Sequence, residues 1–235
     1  MKDMVAMILA IVRGWAGTGY TPRRPIAVLL TPDEEAGGHH GAHWIVANRP
    51  DLLHGATQAI GEVGGFSVDL PGGQRIYPVQ TGEKGLMWIT ARVVGTAGHG
   101  SLIHSDNPVE KLIVALEALA THPFEVSLTP SMARFADTVG ELIGEPLAFD
   151  DHERLVAQLG GLATVIGASV RTTLNPTMLS AGFKHNVVPS EATTGMDVRY
   201  LPGSREEVLA HIAEVLPDDA TMTFANDDIA LETTF

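Results

Sequence analysis

The chain has 235 residues, 45% of them hydrophobic, and a formal net charge of −13. That length can bury a sizeable core in one domain or two modest ones, and the acidic excess argues against nucleic acid or an anionic membrane surface as partner. With no cysteine in the sequence, disulfides and thiolate chemistry are excluded, any metal must be held by His, Asp and Glu, and a reducing cytoplasm suits the composition.

Taken in chain order, Met4, Ile8, Ile11 and Trp15 fall at helical spacing and predict a helix over about 2–15. Its apolar stretch is too short to span a bilayer, and Asp3 and the lack of a small-residue cleavage site argue against a secretory signal. Ile26–Leu30 is a continuous apolar run of the kind found in a strand buried on both faces. The run Thr31-Pro32-Asp33-Glu34-Glu35-Ala36-Gly37-Gly38 follows it. Two adjacent carboxylates thus stand at the C-terminal end of a strand, where open α/β sheets place their ligands. Such a pair can supply a base beside a metal ligand; its ordinary alternative is a pair of acids favoured by a helix macrodipole. A helix over 39–48 and a short strand near Gln58–Ile60 complete an α/β segment with a parallel sheet. His39, His40 and His43 read as surface residues of that helix.

A second segment opens at about Gly85 with a strand through Gly95, in which Thr90 and Arg92 alternate with apolar neighbours. Asn107 is positioned to cap a helix that has Pro108 at its first position and runs to Thr121. Residues 123–176 read as an insertion with helices near 131–143 and 151–159. Strands over 177–182 and 192–200, a helix over 204–215 capped by Ser204, and a strand over 220–225 close the pattern. The order β-α-(insertion)-β-β-α-β is that of a two-layer α+β sandwich with one open sheet face.

Four fragments accompany the acidic turn. Ala59-Ile60-Gly61-Glu62-Val63-Gly64-Gly65-Phe66 adds a third carboxylate, and Gly98-His99-Gly100-Ser101, with Asn107-Pro108, sets a histidine between glycines at a strand end. The others are Gly182-Phe183-Lys184-His185-Asn186-Val187-Val188-Pro189 and Met196-Asp197-Val198-Arg199-Tyr200-Leu201-Pro202-Gly203. Taken singly, Glu62 is an ordinary turn acid, His99 a loop histidine, Asn186 a turn former and Arg199 a salt-bridged strand residue.

In this order, the five fragments resemble the two-metal aminoacylase and carboxypeptidase family that includes acetylornithine deacetylase, succinyl-diaminopimelate desuccinylase and glutamate carboxypeptidase. The resemblance covers nearly the whole chain. It implies a partial zinc-peptidase-like catalytic domain over 1–84, α/β with a mostly parallel sheet, and a lid and dimerisation domain over 85–235. It implies Glu34 as general base and Glu35 and Glu62 as ligands in a site for two zinc ions. It implies that His99 reaches into the partner subunit's site of a homodimer to stabilise the developing oxyanion. Asn186 and Arg199 would orient the substrate, a peptide or N-acyl amino acid whose carboxylate suits a guanidinium fork.

The sequence also departs from the family pattern. The family's His-x-Asp segment, its Gly-rich segment ending in a metal-bridging Asp-Met-Lys, and its closing histidine have no counterpart here, and Asp3 is not the bridging aspartate. The expectation is a fragment truncated at both ends, with three metal ligands missing and little hydrolysis by itself. Its rivals are a non-catalytic dimerisation or peptide-binding protein and one half of a split enzyme.

Overall fold

The computed structural model describes residues 2–53, 55–61, 63–121 and 124–233. The chain divides into two compact units, Met1–Gly64 and Gly65–Phe235.

The first unit carries α1 (Lys2–Thr18), a short 3-10 turn (Glu34–Ala36), α2 (Ala42–Asn48) and a second 3-10 turn (Pro50–Leu53). The strand expected at 26–31 does not form, and Ile26 and Leu30 are 57% and 55% exposed. A strand is held by backbone pairing with a neighbour, and among the described residues of this unit no strand is present to pair with it. The short strand expected near Gln58–Ile60 is irregular for the same reason. The helix expected from residue 39 starts at Ala42. Gly37 and Gly38 take φ of 97° and 68°, and a Cβ on Gly41 would meet the Pro32 carbonyl oxygen at 2.0 Å, so the chain doubles back before helix can begin.

The second unit has ten strands and five helices among its described residues: β1 (Val68–Asp69), β2 (Arg75–Ile76), β3 (Gly82–Glu83), β4 (Gly85–Val94), β5 (Gly98–His99), α3 (Pro108–Thr121), α4 (Pro130–Ile143), α5 (His152–Leu159), α6 (Ala163–Ser169), β6 (Thr173–Ala181), β7 (Val187–Val188), β8 (Glu191–Tyr200), α7 (Arg205–Val215), β9 (Thr221–Asp228) and β10 (Leu231–Glu232). Its main sheet runs β6-β8-β4-β9, with every neighbour antiparallel. Strict alternation fixes the register, because a one-residue slip would turn every buried side chain outward. Met87, Ile89 and Ala91 of β4 and Met196, Val198 and Tyr200 of β8 face Ala115 and Leu119 of α3, Val208 and Ile212 of α7, and Leu216 at the end of α7. Each large side chain buried there contributes roughly 1.5–3 kcal/mol. A mixed α/β fold with a two-layer sandwich is therefore present as expected.

β6 begins four residues before the expected strand and passes through Pro176, with a register shift between Pro176 and Met178. Proline is tolerated there because β6 is an edge strand and that N–H has no ladder partner to lose. Ser204 occupies the N-cap of α7, yet its hydroxyl donates to the Leu201 carbonyl (2.9 Å) instead of capping the helix. At α3, Asn107 caps as expected, its Oδ1 accepting from the Val109 N–H at 3.0 Å.

The insertion forms a second core, in which Val139, Leu155, Leu159, Ala163 and Ile166 enclose Leu70. Gln158, buried in this layer, donates to the Pro146 carbonyl (2.8 Å) and accepts from the Ala148 N–H (3.0 Å). The N-terminus of α4 is held twice: Thr129 accepts from the Met132 N–H, and the Glu232 carboxylate accepts from the Ser131 N–H at 2.6 Å. That bond holds the Glu232 carboxyl below its usual 4.5. A group with a depressed folded pKa contributes stability above its unfolded value and loses it as pH falls through the folded one. Glu232→Ala is expected to lower stability by about 0.5–1 kcal/mol, an N-cap loss reduced by solvent screening. It should also flatten the stability profile below pH 4.5, as urea unfolding across pH would record.

Candidate functional site

Two candidate site residues far apart in sequence meet on one small ribbon. β5 and β7 pair antiparallel, Gly98 opposite Val188 and His99 opposite Val187, and the Gly100 N–H donates to the Asn186 carbonyl at 2.9 Å. The ribbon therefore brings the backbones of His99 and Asn186 to one exposed end. The flanking glycines explain how the strands come so close. A Cβ on Gly98 would lie 2.3 Å from the His104 ring, and one on Gly100 would lie 3.3 Å from the Asn186 carbonyl carbon.

His99 is held by its own loop. The Ser101 hydroxyl lies 2.8 Å from His99 Nδ1, the Ser101 backbone N–H donates to that nitrogen at 3.3 Å, and His104 Nε2 donates to the His99 carbonyl at 2.9 Å. Beside the ribbon is an open pocket of about 520 Å³, lined in part by Phe183, Val187, Val188 and Pro189. Reading by motif identified His99 but missed Ser101 and His104; the signal available for them was Gly-His-Gly-Ser, in which missing Cβ atoms leave room for a ring.

In the first unit, Glu34 and Glu35 sit exposed in the 3-10 turn. Asp33 enters that turn with φ 75°, a left-handed conformation that Asp tolerates better than most residues. Its carboxylate accepts from the His40 N–H at 2.8 Å and its carbonyl from the Gly38 N–H at 2.7 Å. The turn is thus locked around its two free-standing acids. Glu62 lies outside the described residues. Among the described residues no three His, Asp or Glu side chains form a group that could hold a metal ion. These residues alone do not fit a dinuclear zinc centre.

Arg199 stands on β8 rather than on the ribbon, and its guanidinium grips Asp197 with two bonds of 2.7 and 3.1 Å. This pair, together with the Trp88 indole N–H (3.1 Å), holds the Asp197 carboxyl below the usual carboxylate range. Nearby, Lys84 Nζ donates to the Ala168 and Arg171 carbonyls (both 2.9 Å) and to Thr173 Oγ1 (3.1 Å), so it ties the end of α6 to the main sheet. Burial, assisted by the Arg199 charge, pulls the Lys84 amine down from 10.5 to about 8. Burial wins because a neutral amine still has two N–H groups for the two carbonyls and a lone pair that can accept from the Thr173 hydroxyl.

The sign of the linkage follows. Between about pH 8 and 10.5 the unfolded chain holds a proton that folded Lys84 has released, so stability rises with pH across that window. The expected rise is about 1 kcal/mol after allowance for partial solvent exposure. Lys84→Met should abolish it, as denaturant midpoints measured from pH 7 to 11 would show.

Among the described residues no helix is long and apolar enough to cross a membrane. Residues 81–221 match the family model described as "Peptidase dimerisation domain". The chain is 28% identical to a probable carboxypeptidase S-like protein of Dictyostelium discoideum, covering 93% of this chain and 44% of that one. It is 29% identical to aminoacylase-1 of Sus scrofa (86% of this chain, 40% of that one). It is 30% identical to an N-fatty-acyl-amino acid synthase/hydrolase of Homo sapiens (85% and 41%). The chain thus spans less than half the length of these curated relatives. Among solved structures, human carnosine dipeptidase 1 aligns with a TM-score of 0.49 and 12% identity over 86% of this chain and 47% of that one. Because the family model covers more than half of its residues, including the ribbon that bears His99 and Asn186, the chain belongs to the peptidase dimerisation domain family.

Proposed function

We propose that this chain works in a zinc-dependent hydrolase that cleaves the amide bond of a peptide or N-acyl amino acid. In this reading 85–235 is the lid and 1–84 contributes part of the catalytic domain. The observation that carries it is the β5–β7 ribbon, which brings His99 and Asn186 together within the matched dimerisation domain. The similarity to aminoacylase-1 and to a carboxypeptidase S-like protein supports the substrate class.

The roles are those that the resemblance implies, and the chemistry of each group suits them. Glu34, exposed on a locked turn, accepts a proton from the attacking water. Glu35 and Glu62 would be the chain's contribution to a metal site, where a bound ion would supply Lewis-acid polarisation of the amide carbonyl. Because the described residues do not complete that site, ligands beyond this pair are required. His99 donates to the oxyanion and Asn186 orients the substrate beside it. Arg199 must exchange its Asp197 partner to grip a substrate carboxylate with both arms of its fork.

A homodimer through the lid is favoured by its exposed edge. β6 has an unpaired side, carries exposed Met178 and Leu179, and packs against α3, which exposes Ile113 and Val114. Edge pairing backed by an apolar helix face is a common way to join two copies. The absence of cysteine supports a cytoplasmic setting.

The test is an assay of the protein isolated from its native cells against N-acyl amino acids and dipeptides, following release of the free amino acid. Release supports the hydrolase. Saturable peptide binding without release would identify the non-catalytic dimerisation or peptide-binding alternative.

A further inference from the structure

We infer that Ser101 is a positioning residue that fixes which nitrogen of His99 faces the substrate; this rests on the reading of His99 as the oxyanion donor. The argument starts from the donors around Nδ1. A backbone N–H can only donate, and the Ser101 N–H points at Nδ1 from 3.3 Å. That long contact disfavours a hydrogen on Nδ1. Nδ1 therefore offers its lone pair, and the Ser101 hydroxyl at 2.8 Å is a second donor to the same atom. In the neutral imidazole the proton then sits on Nε2.

That assignment matters because an oxyanion needs a hydrogen-bond donor. With Nδ1 occupied by its own loop, Nε2–H is the group left to project from the exposed ribbon end. The loop that carries Ser101 is itself closed, by Leu102 N–H to the His99 carbonyl (3.0 Å) and by His104 Nε2 to the same oxygen (2.9 Å). The carbonyl of His99 thus anchors the loop while its ring is oriented by the next side chain but one. Gly100, with no Cβ to press on the Asn186 backbone, lets the chain come close enough for this.

The experiment pairs a spectrum with kinetics on the dimeric enzyme. Imidazole 15N spectra should show Nδ1 of His99 as a lone-pair nitrogen and Nε2 as the protonated one in the wild type. Ser101→Ala keeps the backbone N–H and removes only the hydroxyl, the shorter of the two donors to Nδ1, so it should raise the Nδ1–H population in part and lower kcat about tenfold with KM unchanged, in the range typical when a group that orients a key imidazole is lost. Ser101→Thr, which keeps the hydroxyl, should restore both. An Nδ1–H tautomer in the wild type, or an Ala variant with unchanged tautomer and kcat, would overturn the proposal. If the tautomer responds as expected while both Ser101→Ala and His99→Ala retain full kcat, it is the oxyanion role of His99 that fails.

Discussion

Glu34→Gln is expected to lower hydrolytic turnover by about 10²–10⁴, the range for loss of a general base, and to leave metal content unchanged. Glutamine keeps the shape of the side chain and removes the basic oxygen. Glu34 is exposed, and the turn around it is held by Asp33 through the His40 and Gly38 N–H groups, so the substitution leaves the local fold intact. Kinetics with metal analysis on the same sample checks this. A variant that loses its metal as well as its turnover would show that Glu34 is a ligand, and the base would then have to be sought elsewhere.

The second large effect is at the ribbon. His99→Ala is expected to cost about 10²–10³ in kcat, the usual consequence of removing one donor to a developing oxyanion, with little change in KM. Because His99 is exposed and β5 and β7 pair through backbone groups, the variant should fold and dimerise as the wild type does. Circular dichroism and sedimentation would verify that before the kinetics are interpreted. A raised KM at unchanged kcat would instead assign His99 to ground-state binding of the substrate.

The second unit was readable because its signals are local and strong. In β4, Thr90 and Arg92 alternate with apolar residues, and Asn107-Pro108 begins a helix on its own chemistry. The first unit read less well because Ile26–Leu30 has the composition of a buried strand, and composition does not supply the neighbour on which a strand depends. Helix 163–169 was missed for a related reason: Gly160-Gly161 suggests a break, whereas Ala163 and Ile166 are buried by the insertion's other helices. At the site, motif reading found His99 and Asn186 but could not show that they share a ribbon. Arg199 reads singly as a salt-bridged strand residue and, through the resemblance, as a substrate ligand; its pairing with Asp197, two residues away on the same strand face, agrees with the first of these.

The most direct test of the central claim, that His99 acts in the partner subunit's catalytic site, is subunit mixing. Glu34→Gln and His99→Ala proteins, each nearly inactive, are unfolded together, refolded and assayed. If His99 acts across the dimer, each mixed dimer contains one site with both groups intact. Random pairing then restores about a quarter of wild-type turnover, since half of the dimers are mixed and half of their sites are complete. If the mixture forms dimers and stays as inactive as its two parents, His99 does not work in the partner's site, and the account is contradicted.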